Sequence, residues 1–174
     1  MTTITIPALT TERLTLRAPQ ISDFDAYAAF RGSERARHLG GPYSRTRAFE
    51  QLGEIIGHWH LRGFGRWMVA DRRTDQPLGI VGLFYPDDWP EPEIAWSVFA
   101  AGEGRGIAAE AAVASRAYAY DTLGWTTAIS LIAPANTRSI ALARRLNATL
   151  EKTYDDEGIG EMQLWRHPAP EDLK

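Results

Sequence analysis

Along the chain, apolar and polar positions repeat with two periods, and each change of period marks an element. "RLTLR" (13–17) alternates at every second residue and predicts a half-buried strand. "SDFDAYAAFR" switches to a helical period, with Phe24, Tyr27 and Ala28 on one face and Ser22 as the expected N-cap. Beyond the glycine-rich "GSERARHLGGPYS", a second helix is predicted, its stripe made of Phe49, Leu52, Ile56 and Trp59. Three strand-like runs follow, "RWMVAD", "LGIVGLF" and "PEIAWSVF", separated by turn-forming Asp, Gly and Pro. A third helix is expected from about Gly106 to Thr122. "TTAISLIA" (126–133) is a continuous, partly β-branched run of the kind buried strands show. Asn136 then opens "NTRSIALARRL", a helix with Ile140, Ala143 and Leu146 inward. Asn147 stands where a left-handed residue ends such a helix. "ATLEKTY" and "EMQLWRH" close the chain as a hairpin. The order β-α-α-β-β-β-α-β-α-β-β predicts an α/β protein with a mixed sheet of seven strands and about four helices. No repeat or linker interrupts it, so residues 1–174 are read as one domain.

Composition narrows the function classes. The 174 residues are 44% hydrophobic and 24% charged, enough for a real core. Without a cysteine there is no thiolate catalysis, disulfide or cysteine-ligated zinc. A formal charge of −3 argues against general nucleic-acid binding, and no apolar run is long enough to span a membrane. The opening "MTTITIPALTTERL" lacks the regions of a secretory signal, so a cytoplasmic location is expected.

The candidate chemistry is concentrated in "GEGRGIAAEA" (102–111), between a strand and a helix. Free amides at a helix N-terminus, with glycines that let the backbone approach, form an anion site. Arg105 could add a charge-assisted contact. The plain alternative is a glycine turn that merely joins strand to helix. A nucleotide P-loop requires a Gly-Lys pair, and the chain has none. A dinucleotide fingerprint fits Gly104, Gly106 and Ala109, but the strands before it are wrong, and the next strand ends in "IAPAN" without the ribose-binding acid. The pattern Q/R-x-x-G-x-G/A of coenzyme A pyrophosphate loops maps onto "EGRGIA", with Glu103 replacing the usual Gln or Arg.

The longer string resembles the loop of the GNAT acetyltransferases, in the RimJ/RimL branch of ribosomal-protein N-terminal acetyltransferases. The other landmarks come in order: "TTERLTLRAPQISDFDAYAAF", "GFGRWMVADRRTDQPLGIVGL", "PEIAWSVF" and "APANTRSIALARRLNA". The resemblance spans roughly residues 8 to 166 and implies the GNAT fold, a mostly antiparallel sheet whose fourth and fifth predicted strands splay around the pantetheine arm of acetyl-CoA. It implies that Trp96, Ser97 and Val98 flank the arm, with the Val98 amide polarising the thioester carbonyl. Gly104, Arg105, Gly106, Ile107, Ala108 and Ala109 would hold the pyrophosphate, and Asn136 would bond the pantetheine. The tyrosine many relatives carry seven residues after that Asn is Ala143 here, and their Gly-Phe after the helix is Asn147-Ala148. Ser139 looks like the serine this branch keeps near the thiol.

Acetyl transfer to an amine needs the free base, and an alkyl amine has a pKa of about 10. A base helps first and an acid later. Glu93 is the base candidate, acting directly or through a water, because "PEIAW" opens the strand carrying the thioester donor; otherwise it is a strand-end charge. Ser139 is the acid or thiol anchor; otherwise it is a small residue for close packing or a local backbone bond. No metal is expected, because His58 and His60 lie about 200° apart around a helix. His38 is a candidate acceptor contact, "YDDEG" (154–158) a hairpin turn that could attract a cation, and Trp59, Trp67, Trp89 and Trp96 core or pocket wall. The expected partners are acetyl-CoA and an amine acceptor, transfer being direct within a ternary complex, with a homodimer allowed. The alternative is a coenzyme A binding module without catalysis.

Overall fold

The run "PLGIVGLF" buries six consecutive residues, which a strand does only when both faces of its sheet are covered. The computed structural model describes residues 4–173 and places this run as β4 (Pro77–Phe84) of an eight-stranded sheet. The other strands are β1 (Leu9–Thr10), β2 (Leu14–Arg17), β3 (Arg66–Asp71), β5 (Glu93–Val98), β6 (Ile129–Ile132), β7 (Thr149–Asp156) and β8 (Gly160–Arg166). Four α-helices connect them: α1 (Phe24–Arg31), α2 (Arg45–Arg62), α3 (Ile107–Ala117) and α4 (Thr137–Arg145). The strand order is β1-β2-β3-β4-β5-β6-β8-β7, antiparallel everywhere except between β5 and β6.

The alternation along β3 distributes the core over the two faces. Trp67 and Val69 join Ile107, Ala111 and Ala112 of α3 on one side. Met68 joins Tyr27, Ala28 and Phe30 of α1 and Leu52 and Ile55 of α2 on the other. Trp67 is fully buried, and its indole N–H donates to the Pro7 carbonyl at 2.7 Å, so its polar atom is satisfied. A third cluster, Ile132, Ala143, Ala148 and Trp165, seats α4 against β6 and β8.

Four details differ from the sequence pattern. The eighth strand is β1, two residues paired antiparallel to β2, too short to show a period. The buried stripe of α2 is Ala48, Leu52, Ile55 and Trp59, while Phe49 and Ile56 are 55% and 43% exposed. Two apolar stripes overlap on this helix, and small Ala48 lets the helix seat closely on α1. Phe49 instead packs edge-on against Phe24, with centroids 5.3 Å apart. Ser22 does not cap α1; buried Asp23 orders that corner, accepting from the Gln20 amide at 2.8 Å and from Arg17 at 2.8 and 2.9 Å. Finally, α3 ends at Ala117, and Tyr118–Thr122 continues as one wider π-turn. The left-handed residue expected at Asn147 is present, with φ 62°.

The last residues of the sheet carry an acid-sensitive group. His167 is 2% exposed, with Nε2 2.9 Å from Ser130 Oγ and Nδ1 3.3 Å from Arg116. Burial, and then the Arg116 charge, push its pKa down from 6.5 to about 3. The folded protein therefore refuses a proton that the unfolded chain accepts, so this stability is full above about pH 6.5 and is lost as pH falls towards 3. Glu93 acts with the opposite sign, its folded pKa being raised from 4.5 to about 7, and offsets the slope between those values. The clean comparison is wild type against His167→Gln. Their stability difference should narrow by about 1.4 kcal/mol per pH unit below 6.5 in denaturant melts.

Candidate active site

The splay between β5 and β6 follows from where their pairing stops. The two strands share one register pair, Glu93 with Ile129, and then diverge. Side chains satisfy the backbone at the wedge: Glu93 Oε2 accepts from the Leu131 amide at 2.9 Å, and Ser130 Oγ donates to the Ile94 carbonyl at 2.6 Å. On the other edge of β5, Phe99 N donates to Leu78 O, and Ser97 stands opposite Ile80. Antiparallel ladders alternate, so Trp96 and Val98 aim their amides and carbonyls away from β4, into the gap.

Beyond the gap the chain makes the glycine turn. Gly104 and Gly106 have φ of 71° and 74°, which side chains with a Cβ rarely adopt. Gly106 opens α3, leaving the amides of Ile107, Ala108 and Ala109 without partners in the helix. The loop is braced from the N-terminal strands. Glu110 of α3 accepts from Thr11 Oγ1 at 2.6 Å, the Arg13 amide at 3.0 Å and Arg13 Nε at 2.7 Å, while Arg13 Nη1 donates to the Arg105 carbonyl at 2.9 Å. The Arg105 side chain is turned out of the cleft, donating to the Ala101 carbonyl at 3.1 Å and lying 3.5 Å from Asp71. Arg35, Arg37, Arg138 and Arg145 line the cleft, and of these Arg35 and Arg138 are ion-paired to Glu103. These pairings hold the Glu103 carboxyl below its ordinary range.

On the far side of the gap, Asn136 caps α4, its Oδ1 accepting from the Ser139 amide at 3.2 Å. Ser139 Oγ accepts from Trp96 Nε1 at 3.1 Å, so the hydroxyl proton is free to be donated. Two cavities meet here. One of about 810 Å³ runs from Gly104, Gly106 and Ala108 along Val98 to Asn136. The other, of about 460 Å³, lies towards Tyr27, Arg31, Arg66, Trp89 and Glu93, within the size range of small-molecule sites. Trp96, Ser97, Asn136, Ser139, His38 and Leu39 line both.

Glu93 faces the second cavity, 6% exposed, with its pKa raised to about 7 by burial, partly countered by the Leu131 amide. A carboxylate near half-ionisation at neutral pH can take up a proton and release it. Trp89 Nε1 lies close enough to favour the Glu93 anion but makes no well-formed hydrogen bond, leaving a buried donor beside the carboxyl. Arg66 spans the cavity wall with its guanidinium 4.3 Å from the Phe84 ring centroid.

A family model described as an acetyltransferase (GNAT) domain matches residues 13–149. The acetyltransferase from Agrobacterium tumefaciens str. C58 is 35% identical and superimposes with a TM-score of 0.86, over 97% of this chain and 98% of that one. The chain belongs to the GNAT acetyltransferase family. Its fold also matches a GNAT-family acetyltransferase from Bacillus anthracis, at 17% identity and TM-score 0.78 over 92% of this chain and 97% of that one. A ribosomal-protein-S5-alanine acetyltransferase from Vibrio fischeri matches at 15% identity and TM-score 0.70, over 97% and 100% of the two chains. The family model is of the RimJ/RimL type, and GNAT enzymes use acetyl-CoA.

The four positions at which the sequence departs from the motifs set out above are Glu103, Ala143, Asn147 and Ala148. Ala143 is fully buried against the cluster with Trp165 and offers no hydroxyl to the cleft, and Ala148 packs in the same cluster. Glu103 puts an acid at the mouth of the loop. His58 is committed to structure: it bridges the Phe64 carbonyl at 2.8 Å and the Tyr85 amide at 3.0 Å, and burial lowers its pKa. Among the described residues no group of three or more His, Asp or Glu is arranged to hold a metal ion, and no helix is long and apolar enough to cross a membrane. In the hairpin turn, Asp156 is occupied by the Gly158 and Ile159 amides at 2.9 and 3.1 Å. The sequence pattern did not single out Thr11, Arg13, Arg35, Arg138, Arg31 or Arg66; a polar residue at each strand or helix edge is too common to mark a site.

Proposed function

We propose that this GNAT enzyme transfers an acetyl group from acetyl-CoA directly to a primary amine, the amine entering through the 460 Å³ cavity. The observation that carries this reading is the junction at Trp96, Ser97, Asn136 and Ser139, where the two cavities meet. The residues fit the donor. Loop amides from Gly104 to Ala109, at a helix N-terminus, suit a pyrophosphate, and the free backbone edge of Trp96 and Val98 suits an amide-bearing arm. Bound acetyl-CoA supplies the thioester whose acyl group is transferred.

The protein's own groups then have distinct tasks. The Val98 amide donates to the thioester oxygen as charge builds there. Glu93, directly or through a water, takes the proton from the incoming ammonium so that the nitrogen lone pair can form the new C–N bond. As the C–S bond breaks, Ser139 Oγ–H hydrogen-bonds the leaving sulfur while Trp96 Nε1 stabilises its oxygen. The second proton lost by the nitrogen passes to the thiolate, through Ser139 or a water, so that Ser139 ends protonated. Residues 1–174 as one domain, a protein N-terminal amine among the acceptors, a homodimer and a cytoplasmic location belong to the same proposal.

Thiol release from acetyl-CoA should depend on an amine acceptor, and double-reciprocal plots at several acceptor concentrations should intersect, as direct transfer in a ternary complex requires. Parallel lines would indicate an acyl-enzyme, and absence of release with every amine would make the chain a coenzyme A binding module. Glu103 has a separate expected effect. Glu103→Gln removes an acid from the phosphate end and frees Arg35 and Arg138, so coenzyme A should bind about three- to fivefold tighter at low salt. The gain should shrink at high ionic strength in calorimetric titrations.

A further inference from the structure

The second cavity has an unusual charge inventory. Its charged lining consists of Arg31, Arg66, Glu54 and Glu93, with His38 at the junction. Among the described residues, neither Arg31 nor Arg66 is in an ion pair with any carboxylate. Arg31 is 9% exposed, and its Nε donates to Gln51 at 2.8 Å while its guanidinium lies 4.6 Å from the Tyr43 ring centroid. The Arg66 guanidinium lies over the Phe84 ring. The two guanidinium groups are near enough that Arg31 opposes the charge on Arg66. Glu93 and Glu54 favour the Arg66 charge without pairing with it: exposed Glu54 is held by Arg47 at 2.8 Å, and Glu93 is engaged by the Leu131 amide.

A cavity that holds two guanidinium groups, neither of them in an ion pair, is suited to an anion. Trp89 Nε1 is a buried donor on the same cavity wall, but it lies beside the Glu93 carboxyl, so the anion is left to the two arginines. Guanidinium forks match carboxylate and phosphate oxygens in pairs. The cavity is bounded by His38, Leu39, Gly40 and Tyr43 on one side and by Gly158 and Ile159 of the β7–β8 turn on the other, which favours a compact ligand. We propose that the acceptor is a small amine that also carries an oxyanion, a carboxylate or a phosphate, held by Arg31 and Arg66 while its amine faces Glu93. This rests on the acetyl-transfer reading above, which identifies the cavity as the acceptor side.

The test is calorimetric titration of the protein, with and without coenzyme A, using matched N-acetyl compounds. Acids of two to six carbons are compared with their primary amides, N-acetylaminoalkyl phosphates with the corresponding alcohols, and N-acetylated tripeptide amides with neutral first residues complete the panel. At least one anionic member should bind about tenfold or more tighter than its neutral partner. Whether the preferred member is an acid or a phosphate identifies the oxyanion. In Arg66→Met and Arg31→Met the preference should drop below about threefold, with the neutral compound's Kd unchanged. Equal binding within every pair, tighter binding of neutral or peptide members, or a preference that survives both substitutions would overturn the proposal. Product binding is read apart from turnover, so these outcomes are distinct from failure of acetyl-CoA binding or thiol release, which would sink the acetyl-transfer reading instead.

Discussion

Gly106→Val should leave a folded protein that binds coenzyme A at least about 100-fold more weakly than wild type. Gly106 combines φ of 74° with a position on the cleft lining. A Cβ there would approach no protein atom closer than Arg13 Nη2 at 3.5 Å, so the new side chain would project into space meant for ligand. A β-branched residue is also strained at that backbone angle and would pull the Gly106 and Ile107 amides out of line. Gly104→Ala is the milder companion, since nothing lies within 4 Å of its Cβ and only its φ of 71° resists the change. Circular dichroism establishes folding and calorimetry the affinity. Wild-type affinity in a folded Gly106→Val would mean that the loop does not hold the pyrophosphate.

The second large effect concerns the proton. Glu93→Gln should lower kcat/KM for the acceptor about 10²- to 10³-fold at pH 7.5 while coenzyme A affinity stays within twofold. The carboxamide oxygen of the variant can still accept from the Leu131 amide, so the wedge between β5 and β6 keeps its hydrogen bond. The base works when ionised, so wild-type kcat should rise with pH through about 7, the value set by burial of the carboxyl. That limb should vanish in the variant. An unchanged rate and pH profile would reduce Glu93 to a strand-splaying device.

These two residues also show what was legible in the sequence. The glycine loop could be read because its conformation requires glycine, and that requirement is local. Asn147 was legible for the same reason: its φ of 62° is set by the helix end it terminates. The order of elements from β2 onward and the splay followed from the matched landmarks, while two-residue β1 did not. Side-chain direction was not local. Arg105 turns away because Asp71 at the end of β3 and the Ala101 carbonyl claim it, and its place at the cleft mouth goes to Arg35 and Arg138 from two other segments. The face of α2 was ambiguous because Phe49 and Ile56 compete with Ala48 and Ile55, and only the α1 contact selects between them. The 460 Å³ cavity draws Arg31, Arg66, Trp89, Glu93 and Ile159 from five separate stretches, a grouping no spacing rule encodes.

Arg13 and Thr11 illustrate the intermediate case. By pattern alone, "TTERL" is the polar run into a strand. In the structure its side chains grip Glu110 and the Arg105 carbonyl, so the first turn of the chain sets the position of the loop nearly one hundred residues later. The short string at 102–111 therefore depends on a second string at the other end of the domain, which gives "TER" a physical role of its own.

The most direct measurement is a crystal structure of the protein with acetyl-CoA. Pyrophosphate oxygens should lie within hydrogen-bond distance of amides between Gly104 and Ala109, the arm between β5 and β6, and the thioester oxygen on the Val98 amide beside Ser139. A donor bound elsewhere, or a thioester distant from both Val98 and Ser139, would contradict this placement.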